Sequence, residues 1–366
     1  MSIAWPSRDA TIFSHCWQRK GRAVVISQRE LEARYAGEVY AQAARFMVAK
    51  HVPDALAKLG LIGPADHLVL YADDFQDAFI ERFPRESLFF VAEPSVSAFE
   101  AAMGALPTGS GRAYWFVNAI GGRGLRVPDL RSLARAAHAV GAALIVDNTV
   151  PSLFGCCPLA LGADLCLEAL DRVAVGELSR KTVALAWRRV SCTTSDAKKT
   201  FLGGHKRSQF VFLASLVQGI DSTRLDDDDI SVIDRGLSTL SARMQRHFDH
   251  ARAIAEYLSC CDTISSVSYP GLASHPDHPV AANMLTHGYG PAVDFELPAS
   301  VTAAAFIARC GLNGRGHPAG GPHTRMTARD GDDARFIRLF AGLDDPLAIA
   351  DDLDQAMRWF CNPPEP

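Results

Sequence analysis

Short apolar runs alternate with helical patterns between about residues 64 and 185. The runs HLVLYA (67–72) and AYWFVN (113–118) predict buried strands, because nearly every side chain in them is apolar or aromatic. The run AALIVDNT (142–149) predicts another strand of the same kind. Strands that alternate with helices are typical of a mostly parallel sheet covered on both faces, so the pattern predicts an α/β fold.

The sequence predicts both the start and the end of one helix in this region. Apolar residues recur at helical spacing between Pro128 and Gly141; the proline suits a first turn and the glycine suits a stop. The strand that follows ends in Asp147, Asn148 and Thr149. Ligands usually bind at the carboxyl ends of parallel strands, which makes these three residues candidates for a site. A simple strand-ending turn explains them equally well.

A change in composition at the acidic run Asp226 to Asp229 marks a predicted domain boundary. After it, residues 236–258 predict one long amphipathic helix. Two strands and a closing helix are predicted at 293–298, 336–342 and 347–360. The predicted division is an amino-terminal segment (1–45), a large α/β domain (46–229) and a smaller α+β domain (230–366).

Composition and charge narrow the class of partner. The 366 residues are 48% apolar, which is enough for large cores, yet no stretch reaches membrane-spanning length. The net charge is −4 with both signs interspersed, so neither a nucleic acid nor a membrane is an expected partner. Residues 1–20 lack the pattern of a secretory leader and the nine cysteines lack CxxC spacing, which predicts reduced thiols in the cytoplasm.

Two further polar motifs favour structural roles. His275 and His278 lie in a proline-rich turn, which favours a turn over a metal site. The glycine-rich segment at 316–327 favours a surface loop, with a role at the mouth of a site as the alternative. Because the acidic run also lacks the spacing of a cation site, no metal is predicted.

Three ordered blocks resemble the Cys/Met-metabolism family of pyridoxal-phosphate (PLP) enzymes, of the cystathionine γ-synthase type. The blocks are VDNTVPSLFGCCPLALGAD (146–164), then RGLSTLSARMQRH (235–247), SYPGLASHPDH (268–278) and GYGPAVDFEL (288–297), and last FIRLFAGLDDPLAIADDLDQAM (336–357). The resemblance implies the aspartate aminotransferase-like fold, also called fold type I. Its large domain is a mostly parallel seven-stranded sheet between helices, and its smaller domain is α+β.

The resemblance also implies roles for two residues. In the family a lysine forms an imine with PLP, an aspartate pairs with the pyridine nitrogen, and an arginine binds the substrate carboxylate. The aspartate matches Asp147 and the arginine matches Arg338. Both also suit a retained scaffold, in which Asp147 caps a helix and Arg338 forms an internal ion pair.

Arg172 occupies the lysine position, counted from Asp147 without a gap. A guanidinium stays protonated at physiological pH and has no amine lone pair, so it cannot form the imine. This predicts that the covalent chemistry of the family is lost. Lys199, in SDAKKTFLGGH, and Lys181 are the competing lysines, although Lys199 lies one residue too far from its glycine pair.

The family's phosphate anchors are replaced as well. Ala169 and Asp171 stand where small hydroxyl residues help to hold the phosphate, and a carboxylate there repels it. The Ser-Gly-Met phosphate loop at a helix start is matched to Arg45, Phe46 and Met47, where phenylalanine replaces the glycine.

Two weaker matches complete the comparison with the family. Phe75 is matched to the tyrosine that stacks on the PLP ring, and it can stack but lacks the hydroxyl. Arg22 is the match to the phosphate site of the neighbouring subunit. PLP is thus the cofactor that the resemblance implies, while the replaced residues argue against its binding.

Two functional hypotheses remain open, beside a third in which Lys199 takes the place of the lysine and the chain is an ordinary C–S bond lyase or transferase. In the first, the chain is a pseudoenzyme that keeps the fold as a binding or scaffold subunit, paired with an active paralogue. In the second, it is a lyase-like or transferase-like enzyme that acts on a sulfur amino acid or related amino acid, with noncovalent PLP or without PLP. Both imply a homodimer or homotetramer, and a retained pocket implies an amino-acid-like ligand.

Overall fold

The computed structural model describes residues 26–73, 76–107, 109, 111–175, 178–188, 219, 223–311, 321–328 and 334–361. Its large domain is built on one sheet. The strands are β1 (Ala41–Val48), β2 (His67–Leu70), β3 (Leu88–Phe90), β4 (Ala113–Asn118), β5 (Ala143–Asp147), β6 (Leu165–Ala169) and β7 (Thr182–Arg188). Their order across the sheet is β1-β7-β6-β5-β4-β2-β3. The five neighbouring strands β3, β2, β4, β5 and β6 run parallel to one another, and β7 runs antiparallel to both β6 and β1. The sheet is therefore mostly parallel, which confirms the prediction.

Helices cover both faces of this sheet. They are α1 (Gln28–Glu38), α2 (Val52–Lys58), α3 (Gln76–Arg82), α4 (Val96–Gly104), α5 (Leu130–Val140) and α6 (Ser152–Gly155). In β4, Tyr114 and Phe116 point into one apolar core while Trp115 and Val117 point into the other. This two-sided burial explains why the strand is apolar throughout rather than alternating.

The predicted limits of α5 hold closely. Asp129 caps its first turn by accepting a hydrogen bond from the Ser132 amide at 3.1 Å. Gly141 ends it in the left-handed conformation, at φ +79°, which glycine adopts without strain.

The smaller domain has a second, antiparallel sheet. Its elements are α7 (Asp227–Ser259), β8 (Ser266–Ser268), α8 (His278–Met284), β9 (Ala292–Glu296), α9 (Ala303–Arg309), β10 (Arg325–Ala328), β11 (Phe336–Phe340) and α10 (Pro346–Cys361). The strand order is β10-β11-β9-β8. Across the described ranges, no helix has both the length and the apolar character needed to cross a bilayer.

The structure corrects both predicted domain boundaries. The one at 45/46 falls inside β1, because this strand pairs with β7 from Ala41 to Val48. The one at 229/230 falls inside α7, which begins at Asp227. The acidic run fills the first turn of that helix, where carboxylates are favoured by the positive end of the helix dipole.

Candidate active site

Asp147 is held in place at the carboxyl end of β5. Asn118, the last residue of β4, is its register partner, and the Asn118 amide donates to Asp147 Oδ2 at 3.3 Å. The other carboxylate oxygen accepts from the Thr149 amide at 2.9 Å and from the Thr149 hydroxyl at 2.5 Å. Asp147 is 2% exposed, so its orientation is fixed before any ligand binds. Asn118 also belongs to this cluster, and sequence reasoning did not identify it.

Arg172 lies in the turn after β6 and is buried, with 6% of the residue exposed. Its guanidinium carbon lies 5.1 Å from the centre of the Phe340 ring, and within the described ranges its buried Nε–H has no hydrogen-bond partner. Burial lowers the pKa of Arg172, while the charges of Asp171, Asp147 and Glu168 act in the opposite direction. The structure thus brings Arg172 within electrostatic reach of Asp147.

Glu168 is a second buried carboxyl group, and it lies beside Arg172. The Tyr35 hydroxyl of α1 donates to Glu168 Oε2 at 2.5 Å, and the Ser152 hydroxyl of α6 donates to Oε1 at 2.5 Å. Burial raises the pKa of Glu168 to about 7, and burial also raises the pKa of Tyr35 well above its usual value. A single charged residue inside the apolar run LCLEAL was the available signal.

Helix α7 holds the turn that carries Arg172. Arg243 Nη2 donates to the carbonyl of Val173 at 2.9 Å, and Gly236 packs against the same carbonyl. A Cβ atom on Gly236 would lie 1.9 Å from that oxygen, so only glycine permits this approach. The position of Arg172 is therefore fixed from the second domain.

Arg338 is engaged by a carboxylate of the chain itself. Asp294 in β9 lies directly across from Arg338 in β11, and Arg338 donates from Nε at 2.7 Å and from Nη2 at 2.9 Å. The side chains are 12% and 1% exposed, respectively. The resemblance assigns this bidentate geometry to the pair between Arg338 and a substrate carboxylate. In this chain Arg338 forms it with the carboxylate of Asp294.

The same ion pair joins the two domains. Arg338 Nη2 also donates to the Gly122 carbonyl at 2.6 Å, and Asp294 Oδ2 accepts from the Gly124 amide at 2.9 Å. Both glycines lie in the connection between β4 and α5. Asp294 was not singled out from the sequence, although it lies in the block GYGPAVDFEL and is a charge inside the apolar run VDFEL.

The predicted phosphate loop needs correction. Arg45, Phe46 and Met47 lie within β1 and pair with β7, so they form no loop at a helix start. The helix after this strand starts at Val52. Its first turn is closed by its own side chains, because Asp54 Oδ2 accepts from the Lys50 amide at 2.9 Å and His51 Nδ1 accepts from the Asp54 amide at 3.1 Å. A carboxylate at this helix start disfavours a phosphate.

These residues do not fit PLP as the family holds it. Asp147 is suited to a pyridinium nitrogen, but the residue that the sequence matches to the lysine is a buried arginine, and the residue matched to the substrate-binding arginine is engaged by Asp294. At the matched phosphate position, the Ala169 amide donates instead to the Thr149 hydroxyl at 3.0 Å.

The remaining candidates lie elsewhere or outside the described residues. His275 donates from Nε2 to the Gly124 carbonyl at 2.8 Å and accepts at Nδ1 from the Asp277 amide, which is the structural turn that was predicted. Among the described residues, no three metal-binding side chains come together. Lys181 is exposed before β7. Phe75, Arg22, Lys199 and residues 316–320 lie outside the described ranges.

Known sequences of Cys/Met-metabolism enzymes are similar to this chain over most of its length. The family model described as Cys/Met metabolism PLP-dependent enzyme matches residues 98–358. Cystathionine gamma-synthase of Mycobacterium tuberculosis is 30% identical over 315 residues, which are 81% of this chain and 75% of that protein. Cystathionine gamma-lyase of Sus scrofa is 29% identical over 251 residues, 64% of this chain and 57% of that protein. The match thus spans less than two thirds of the length of the pig enzyme.

Solved structures give the same result. Apo CalE6, a methionine gamma lyase from Micromonospora echinospora, superposes with a TM-score of 0.73 at 25% identity, over 90% of this chain and 86% of that one. Cystathionine gamma synthase from Xanthomonas oryzae shares the fold with a TM-score of 0.71 at 23% identity. The resemblance and the fold class inferred from the sequence are both confirmed.

Proposed function

Because the chain belongs to the Cys/Met metabolism PLP-dependent enzyme family, we propose that it is a member that has given up covalent PLP chemistry and serves as a binding or scaffold subunit. The observation that carries the proposal is the burial of Arg172, the residue that the sequence matches to the lysine, whose Nε–H has no hydrogen-bond partner among the described residues. A guanidinium there supplies neither the nucleophile for an imine nor a base for proton transfer.

Two further contacts support this proposal. Arg338 is already held by Asp294 in a bidentate ion pair, so binding a substrate carboxylate would require breaking a buried contact. At the start of α2, the amides of Lys50 and Asp54 already donate hydrogen bonds to the side chains of Asp54 and His51, respectively. These two amides are therefore not available to a phosphate.

One observation favours an enzymatic alternative. Asp147 keeps three hydrogen bonds that orient its carboxylate, and a scaffold has no evident need for such preorganisation. In this second candidate function the pocket binds a sulfur amino acid or a related amino acid, with PLP held noncovalently or with no PLP.

The proposal extends to assembly and location. We place the chain in the cytoplasm as a homodimer or homotetramer, associated with an active paralogue, because fold-type-I sites of this family are built between subunits. Neither a nucleic acid nor a membrane is part of the proposal, because the net charge of −4 gives no basic footprint for either.

Incubation with PLP followed by borohydride reduction tests the loss of covalent chemistry. We expect the parent protein to show no visible imine band and no lysine adduct by mass spectrometry, because no described lysine lies in the cluster around Asp147. In Arg172→Lys, an adduct at position 172 would show that the arginine alone blocks the reaction. Arg246→Lys, an exposed change on α7, is the matched control.

The outcomes separate the two candidate functions. A reduced adduct on Lys199 or Lys181 of the parent protein would refute the proposal and restore ordinary PLP chemistry. Saturable binding of PLP without an adduct would favour the noncovalent alternative. Absence of binding in the parent supports the scaffold function.

A further inference from the structure

Helix α5 carries a basic stripe on its outer face. Arg131, Arg135 and His138 recur at i, i+4 and i+7, so their side chains lie along one side of the helix. Ala134, at i+3, lies on the same side. This stripe forms one wall of an open groove of about 490 Å³.

The opposite wall combines an apolar turn with a third arginine. Leu161 and Gly162 come from the turn before β6, and Arg188 is the last residue of β7. Asp164 lies below the groove, where its carboxylate accepts from Arg188 Nη2 at 2.9 Å and from His138 Nε2 at 2.8 Å. It is 2% exposed and also accepts from a backbone amide of β5.

The cations of this groove outnumber its carboxylates. Asp164 offsets one of the three guanidinium charges that line it. In the part of the chain that the structure describes, neither Arg131 nor Arg135 has an ion-pair partner; Arg135 donates only to the Ser132 hydroxyl at 3.1 Å. At least two positive charges therefore face the groove without an internal counter-ion.

The groove is separate from the site around Asp147. Asp164 lies just before β6, and the carboxyl end of α5 leads into the start of β5, so the groove lies at the amino ends of these strands. Asp147 is at the other end of β5, about 13 Å away along a strand that rises about 3.3 Å per residue.

We propose that this groove binds a phosphate-bearing small molecule of about the size of a nucleoside diphosphate. A phosphate group carries close to two negative charges and three acceptor oxygens, which suit guanidinium groups that approach from both walls. The volume falls in the range of small-ligand sites, and Ala134 and Leu161 supply apolar surface for the organic part. The proposal does not depend on the state of Arg172 or on PLP.

Calorimetric titration with inorganic pyrophosphate and with adenosine diphosphate tests the proposal. We expect both probes to bind the parent protein with Kd below about 1 mM. The double variant Arg131→Gln/Arg135→Gln should weaken binding by at least about tenfold, because it removes the two uncompensated charges. Arg29→Gln/Arg246→Gln removes the same charge from exposed helical positions outside the groove and should change Kd less than about twofold.

Three results would overturn the assignment. The first is no heat of binding from either probe at about 10 mM, far above the expected Kd. The second is equal weakening in both double variants, which would mean diffuse attraction to surface charge. The third is unchanged binding in the groove variant, provided that its thermal unfolding midpoint matches that of the parent.

Discussion

Burial shifts the pKa values of two groups, Glu168 and His247, in opposite directions. Burial raises the pKa of Glu168 to about 7, although the hydroxyls of Ser152 and Tyr35 act against this. Burial lowers the pKa of His247 to about 4, and its Nδ1 donates to the Ala341 carbonyl at 2.7 Å. Each residue therefore favours its neutral form in the folded protein.

Glu168→Gln should change how stability depends on pH. Between pH 4.5 and about 7, Glu168 is mostly deprotonated in the unfolded chain but still protonated in the folded protein. The folded state therefore binds more protons, and the free energy of unfolding falls as pH rises. His247 acts in the opposite sense between about pH 4 and 6.5, and the substitution leaves it unchanged. We expect the variant to gain on the order of 3 kcal/mol relative to the parent from pH 4.5 to pH 8.

Urea denaturation at several pH values measures this difference. Glu100→Gln, an exposed change on α4, serves as the control and should track the parent at every pH. A difference between Glu168→Gln and the parent that stays constant over the whole range would show that the carboxyl does not titrate in this window.

At the scale of elements, the pairing of β9 with β11 depends on a buried ion pair. Asp294→Asn leaves the Arg338 charge without its counter-ion, and we expect it to lower the free energy of unfolding by about 3–5 kcal/mol. Glu256→Gln breaks the exposed pair with Arg252 on α7 and should cost less than about 1 kcal/mol. Chemical denaturation of both variants makes the comparison, and equal losses would contradict the structural role of Asp294.

The contact of α7 with the Arg172 turn gives a second prediction at this scale. In Gly236→Ala the new methyl group would meet the Val173 carbonyl, so we expect a loss of about 1–3 kcal/mol. Gly37→Ala in α1 has open space around it and should gain up to about 1 kcal/mol from helix propensity. Thermal unfolding compares the two, and a neutral Gly236→Ala would mean that α7 does not press on this turn.

For the whole molecule, the sequence predicts what depends on local patterns. The strands β4 and β5 and the helix α5 follow from apolar runs and from the glycine stop. The partners of Glu168 could not be predicted, because Tyr35 lies 133 residues away and only the fold brings its hydroxyl close. The start of α2 was misplaced because a strand, β1, occupies the segment matched to the phosphate loop. The assignment of Arg172 to the family's lysine position stays a prediction, because it depends on a count along the sequence from Asp147.

Helix α7 is 33 residues long, or about 50 Å at 1.5 Å per residue. Its first half contributes Ile233 and Leu240 to the core of the large sheet, and its second half contributes Ile254 and Leu258 to the core of the smaller domain. A cut that separated the two sheets would sever a continuous helix and open an apolar core on each side. The two domains therefore fold as one unit. We expect neither domain to fold when it is expressed alone or transplanted into another protein.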